Sequence, residues 1–320
     1  MTMLELATAN LLSPMVLFFI LGLSAALARS DLAFPEAAAK AMALYLMMAI
    51  GFKGGSSVAE AGPTLQLATA VIAGLVLSAS IPFVAFALLR RTTALERTDA
   101  AAVAAHYGSI SIVTFLAATE ALKAAGMSFE GYLVAVAAAM EAPAIVAALW
   151  LARGRDNRLD GGTLREILLN GSIVMLIGAF VIGAISGKQG MDAIAPFIVD
   201  PFKGVLCLFL LDMGVIAGRG FRAGRRNLSA SLIAFGIYMP LLGASLGLLA
   251  GKLIGLSTGG MALMATLCAS ASYIAVPAAM RIALPEAKPS IYLPLSLGIT
   301  FPFNLSIGIP CYIAAAALAA

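Results

Sequence analysis

Two short runs concentrate side chains able to hold an ion. Residues 106–114 read HYGSISIVT and residues 268–277 read CASASYIAVP. Each sets hydroxyls in the middle of a long apolar stretch, where lipid would accept leucine without cost. Hydroxyls and the free N–H groups of a helix N-terminus are donors that can replace the water around a small anion. Hydroxyl and carbonyl oxygens suit Na⁺. Ser109 and Ser270 stand 161 residues apart, as do Ser111 and Ser272, and a slip of two then aligns Pro143 with Pro302, 159 apart. Either run alone reads equally well as a seam of small residues between packed helices. The near-constant offset favours a paired site instead.

Gly108 permits unusual backbone angles, and Pro277 has no N–H to give a helix ladder. If both runs interrupt their helices, half-helix ends meet near the middle of the membrane. Gly108, Ser109 and Ser111 then form one lip of an anion site, and Ser270 and Ser272 form the other. Acids inside an apolar span cost a few kcal/mol on insertion scales and need a reason. Glu141, in MEAPAIVAAL, precedes Pro143, and Asn304 sits beside Pro302, so both are candidate cation ligands. Asp212, in LFLLDMGVIAG, is read either as structural or as lying near a membrane surface. Glu120 and Arg281 lie near segment ends, where long side chains snorkel to water. His106 could shuttle protons, but a lone histidine in a packed segment is more often a hydrogen-bonded structural residue. Cys207, Cys268 and Cys311 each sit in an apolar run, with neither disulfide nor zinc spacing. No nucleophile–base pair, nucleotide loop or metal-ligand spacing is present, which argues against an enzyme.

The elements that must position these residues are membrane helices. The chain is 62% hydrophobic and 11% charged, with a mean hydropathy of +1.01. A soluble domain is about half apolar and about a quarter charged. Ten apolar segments run roughly over 11–29, 34–52, 64–90, 98–122, 129–152, 166–187, 193–217, 228–251, 258–281 and 290–318, and about 20 helical residues cross the hydrocarbon core. The connectors RSDLAFPE, AEAGP, ISGKQG and ALPEAKP carry turn residues. The expected fold is all-α and polytopic, with segments 4 and 9 interrupted. Residues 1–155 form a five-helix repeat, 156–165 a cytoplasmic connector, and 166–320 a second five-helix repeat. Five spans per half is an odd number, so the second repeat enters inverted, a build common in secondary transporters. Fourteen basic residues, from Arg29 to Lys288, fall on one side, against Lys53, Lys123, Lys188 and Lys252 on the other; Lys40 and Lys203 lie inside or near segments. The positive-inside rule places the fourteen in the cytoplasm and both termini outside. No basic region precedes the first apolar run, so no leader cleavage is expected.

At these residues the chain resembles the sodium-dependent bicarbonate transporters of cyanobacteria and other bacteria. The carrying stretches are LLSPMVLFFILGL, FPEAAAKAMALYLMMAIGFKGG, GSISIVTFLAA with SFEGY and MEAPAIV, and ASASYIAVPAAMRIALPEAKPSIYLPLSLGITFP. The resemblance implies a five-plus-five inverted repeat with gate and core domains. It also implies elevator-type Na⁺/HCO₃⁻ symport in the bacterial inner membrane, a homotrimer, and a PII-like cytoplasmic regulator. The wider architecture is similar to that of bile-acid symporters and sodium/proton antiporters. By position, Gly108, Ser109, Ser111 and Thr114 match the family's first substrate stretch, Ser270, Ser272 and Pro277 its second, and Glu141 a usual acid. Thr114, Glu141, Asn304 and the residue at 273 are then the expected Na⁺ set. One departure stands out: the family pattern Ser-Ser-Ser-Asp reads Ser270-Ala271-Ser272-Tyr273 here. A lost carboxylate leaves a different anion, or Na⁺/H⁺ exchange, as the alternative activity. The connector ARGRDNRLDGGTLRE is also shorter than in cyanobacterial members, which argues against the PII-like regulator.

Overall fold

Lipid offers the backbone no hydrogen-bond partners, so an apolar chain of this kind must satisfy its N–H and C=O groups within helices. The computed structural model describes residues 8, 11–62, 64–153, 165, 169, 171–224 and 228–320, and every regular element among them is helical. The first half comprises α1 (Pro14–Leu27), α2 (Glu36–Ala61), α3 (Leu65–Thr92), α4 (Arg97–Gly108), α5 (Ile112–Ala124), α6 (Leu133–Ala139) and α7 (Glu141–Arg153). The second comprises α8 (Gly171–Ile198), α9 (Phe202–Gly224), α10 (Ala230–Ile254), α11 (Thr258–Ala269) and α12 (Ala275–Ala283), then α13 (Pro289–Ala319). Counting α4 with α5 and α6 with α7 as continuous, eight stretches among the described residues are long and apolar enough to cross a membrane, and α1 and α11 are shorter apolar helices. The chain is an all-helical membrane protein.

Several boundaries differ from the sequence expectation, each for a local reason. The second segment was expected to stop at residue 52, before GG, yet α2 continues to Ala61. Its glycines are contact points rather than stops: a Cβ on Gly54 would lie 2.6 Å from Val134 Cβ, and one on Gly55 would overlap the Phe180 carbonyl. The expected connector ISGKQG does interrupt the helix: Gly187 (φ 57°, ψ −150°) leaves helical geometry and divides α8 into two helical stretches, the second carrying a Lys188–Asp192 ion pair of 3.1 Å. The chain turns again, later than the expected start of the next segment at 193, between Ile198 and Phe202, where Pro201 has no N–H to extend the helix. Of the connector 156–165, only Arg165 is within the described residues; Arg155, Arg158, Arg225 and Arg226 lie outside them.

The helices pair through small residues. α2 packs along α8 and α1 along α9. In both seams glycine lets backbone approach backbone: Gly51 and Gly55 face carbonyls of α8, Gly183 faces the Phe52 carbonyl, and Gly22 and Gly214 do the same between α1 and α9. α10 meets α11 the same way, Gly243 and Gly247 lying on the carbonyls of Cys268 and Met264. α3 packs on α4 and α7. At the centre stand α4 and α11, each buried through almost its whole length.

Candidate functional site

Both polar runs break their helices. α4 ends at Gly108, and α5 begins at Ile112 with the Ser111 Oγ accepting from the Thr114 N–H at 3.2 Å as its N-cap. α11 ends at Ala269 and α12 begins at Ala275. The two serines that follow the helix ends share one conformation: Ser109 has φ −86°, ψ 166°, and Ser270 has φ −81°, ψ 160°. The breaks are bonded to each other. The Ser111 N–H donates to Ser270 Oγ at 2.8 Å, and the Ser272 N–H donates to the His106 carbonyl at 2.7 Å. Residues 159 and 166 positions apart in sequence therefore meet at one crossing.

Beside the crossing is a narrow cleft of about 10 Å³, room for about one water. Ser111, Glu141, Ser272 and Tyr273 line it with Ile110 and Ala275, and Met47 of α2 is in the lining as well. Glu141 opens α7, directly after Met140 ends α6; the Ser78 hydroxyl caps the Met140 carbonyl at 2.6 Å. The Glu141 side chain is buried, and its one hydrogen bond among the described residues comes from the Ser109 hydroxyl at 3.5 Å. The Tyr273 hydroxyl is buried, lies toward Ser111, and completes no hydrogen bond among the described residues. A buried carboxylate with one long hydrogen bond and an idle hydroxyl leave capacity for an ion.

The other expected residues stand one layer back. Ser270 is consumed at the crossing, its hydroxyl donating to the Leu267 carbonyl at 2.8 Å while accepting from Ser111. Thr114 donates to Ser111 Oγ at 2.9 Å. Asn304 donates to the Ala269 carbonyl at 2.9 Å and accepts from the Tyr312 hydroxyl at 2.7 Å. It thus caps the end of α11 much as Glu141 answers Ser109 at the end of α4. Gly108 does not take an unusual backbone angle, since its φ is not positive. Its lack of a side chain admits Pro82, and a Cβ would also lie 2.9 Å from Ala144. Pro277, third in α12, falls where a helix needs no N–H. His106 Nδ1 bonds the Ala102 carbonyl at 2.7 Å and its ring stacks on Tyr292, a structural setting. Asp212 is buried within α9, with Oδ2 unpaired among the described residues.

Sequence reasoning missed the supports. Tyr107 bonds Thr300 at 2.6 Å, and Thr300 donates to the Gly236 carbonyl at 2.8 Å. Thr300 and Asn304 lie in two wide π turns of α13, Ser296–Thr300 and Asn304–Gly308. Such turns recur at functional sites, and the prolines at 294, 302 and 310 were the available signal.

A membrane protein with two mutually bonded helix breaks beside an ion-sized polar cleft has the build of a transport protein rather than of a receptor domain or a soluble enzyme. Residues 14–317 match the family model of the Na⁺-dependent bicarbonate transporter superfamily, so the chain belongs to that superfamily. No individually curated protein matches it.

Proposed function

We propose that the protein is a Na⁺-coupled bicarbonate symporter of the bacterial inner membrane. The observation that carries this is the convergence of Ser111, Glu141, Ser272 and Tyr273, from both halves of the chain, on one cleft. Glu141 and Tyr273 are the nearest Na⁺ ligands, supported by Thr114 and Asn304, and Ser111 and Ser272 with the adjoining N–H groups face the anion. Gly108, Ser109 and Ser270 build the crossing that holds them. The family supports a transporter in place of an enzyme. Coupling is needed because an anion is opposed by about 2.3 kcal/mol per 100 mV of negative-inside potential.

The architecture under this reading is a five-plus-five inverted repeat with both termini outside. α1, α2, α8 and α9 form the gate, and the remaining helices form the core. A cleft with room for about one water must widen to take bicarbonate, and Met47 on α2 is the residue to withdraw from it. Sliding of core against gate, an elevator movement, would do this. A homotrimer and a PII-like regulator are the partners the resemblance implies, the latter disfavoured by the short connector. The test is uptake of labelled bicarbonate into proteoliposomes with and without an inward Na⁺ gradient. Uptake equal in the two cases defeats the proposal.

Tyr273 favours a second reading, in which another small or organic anion is carried with fewer Na⁺ ions. Tyr273→Asp then strengthens the Na⁺ dependence, and an unchanged Na⁺ dose–response rejects that reading.

A further inference from the structure

A second cavity, of about 150 Å³, lies where α2, α5 and the loop before α6 meet the start of α9. On the measure by which the cleft holds about one water, it takes several waters, or a small ion with part of its shell. Its polar lining is Lys53, Thr119, Glu120 and Lys123, with Lys203 tied to Glu120 from beside it. Glu120 is engaged twice, by Lys123 Nζ at 2.8 Å and by Lys203 Nζ at 2.9 Å. Lys53 is partly buried and forms no ion pair among the described residues; its Nζ sits 4.2 Å from the centre of the Phe202 ring. Three ammonium groups and one carboxylate leave the cluster at +2. The ring face attracts Lys53 but gives it no counter-charge, so the ammonium is left short of an anion.

Below the lysines, the buried side chains of Ile50, Phe115 and Leu116 form an apolar collar. Ile50 is one turn of α2 from Met47, which lines the central cleft, and Lys53 is about 9 Å from Met47 along the axis. The cavity and the cleft are thus neighbours along α2.

We propose that this cavity is a separate outer site for a small oxyanion of the carboxylate or bicarbonate class, held by Lys53 with Lys123 and Lys203 around it. Glu120 fixes two of the lysines and leaves the third to the ligand. The transport reading contributes only the direction of travel, from this site through the collar to the cleft; binding here stands without it. An anionic lipid headgroup shares the ligand chemistry, so the test separates the two sources.

Phe129, in the loop lining the cavity, is changed to Cys in a protein whose three native cysteines are replaced by Ala, with Thr119→Cys as a second reporter. The protein is held in nanodiscs of zwitterionic lipid. Its labelling rates are measured with anionic and cationic methanethiosulfonates of similar size. The anionic reagent is expected to react about tenfold faster at low ionic strength, with the ratio collapsing in high salt. Lys53→Gln should lower the ratio about fivefold, Lys53→Arg should restore it, and millimolar bicarbonate or formate should slow labelling. Equal rates for the two reagents at both reporters, or a ratio indifferent to Lys53→Gln, overturn the proposal. Protection seen only in anionic lipid assigns the cavity to a headgroup and overturns it as well. No Na⁺ gradient or uptake enters these readings, so they stand or fall apart from the transport assay.

Discussion

At the residue scale, Glu141 and Asn304 part company. Both were expected from the sequence as cation ligands beside matched prolines, and both are buried. Asn304 has spent its amide on the Ala269 carbonyl and Tyr312, whereas the Glu141 carboxyl is met, among the described residues, only by the Ser109 hydroxyl. Glu141→Gln keeps the shape and removes the charge. It should raise the Na⁺ concentration for half-maximal uptake about tenfold, the equivalent of about 1.4 kcal/mol, and an unaltered Na⁺ dose–response would remove Glu141 from the coupling site. Tyr273→Phe gives a contrast. Deleting an unpaired buried hydroxyl should stabilise the protein by about 1 kcal/mol, seen as a higher melting temperature in detergent. The same change should weaken Na⁺ affinity about tenfold, the equivalent of about 1.4 kcal/mol, if the hydroxyl oxygen ligates the bound ion. A mutant with wild-type affinity makes Tyr273 a packing residue. The paired serines were legible because each interrupts an apolar run at one offset. Their division of labour was not, since no spacing tells whether a hydroxyl faces a cleft or, like Ser270, is used up in joining the breaks.

At the scale of elements, the breaks and the glycine seams ask opposite things of small residues. In the breaks the backbone leaves the helix; in the seams it stays helical and comes close to another helix. Sequence alone treats both as punctuation, which is why the GG of α2 reads as an end although the helix runs on to Ala61, while ISGKQG, with its non-helical Gly187, and the polar runs of segments 4 and 9 do interrupt their helices. Gly55→Ala would press a methyl on the Phe180 carbonyl, and Gly183→Ala would do the same on that of Phe52. Each should cost about 1–3 kcal/mol. Gly178→Ala, on the same helix with no atom within 4 Å of the added Cβ, should be neutral or slightly stabilising through helix propensity. Thermal melting of the three variants side by side decides this; equal losses in all three would mean the seam is not what the glycines serve. Asn304→Ala removes the cap on α11 and should cost about 1–3 kcal/mol by leaving a buried carbonyl unpaired. A melting temperature equal to wild type would show that another group takes over the Ala269 carbonyl.

For the whole molecule, the Glu120–Lys203 pair joins α5 to α9. Under an elevator movement these helices belong to bodies that slide. Replacing Glu120 and Lys203 with cysteines and bridging them with a short bifunctional thiol reagent should stop the uptake that the unbridged double mutant shows, while each single cysteine should transport equally before and after the same treatment. A bridged double mutant that transports at the unbridged rate would exclude sliding along that contact. The knot of hydrogen bonds at the crossing carries a different consequence, for how the protein is made. Ser111 finds its partner in Ser270, and His106 in Ser272, so the first break stays unfinished until some 160 further residues have been synthesised. At about 5–20 residues per second that delay is roughly 8–32 s. Throughout it, the nascent first half must keep two polar backbone groups wet or sheltered while its apolar helices are already committed to the bilayer.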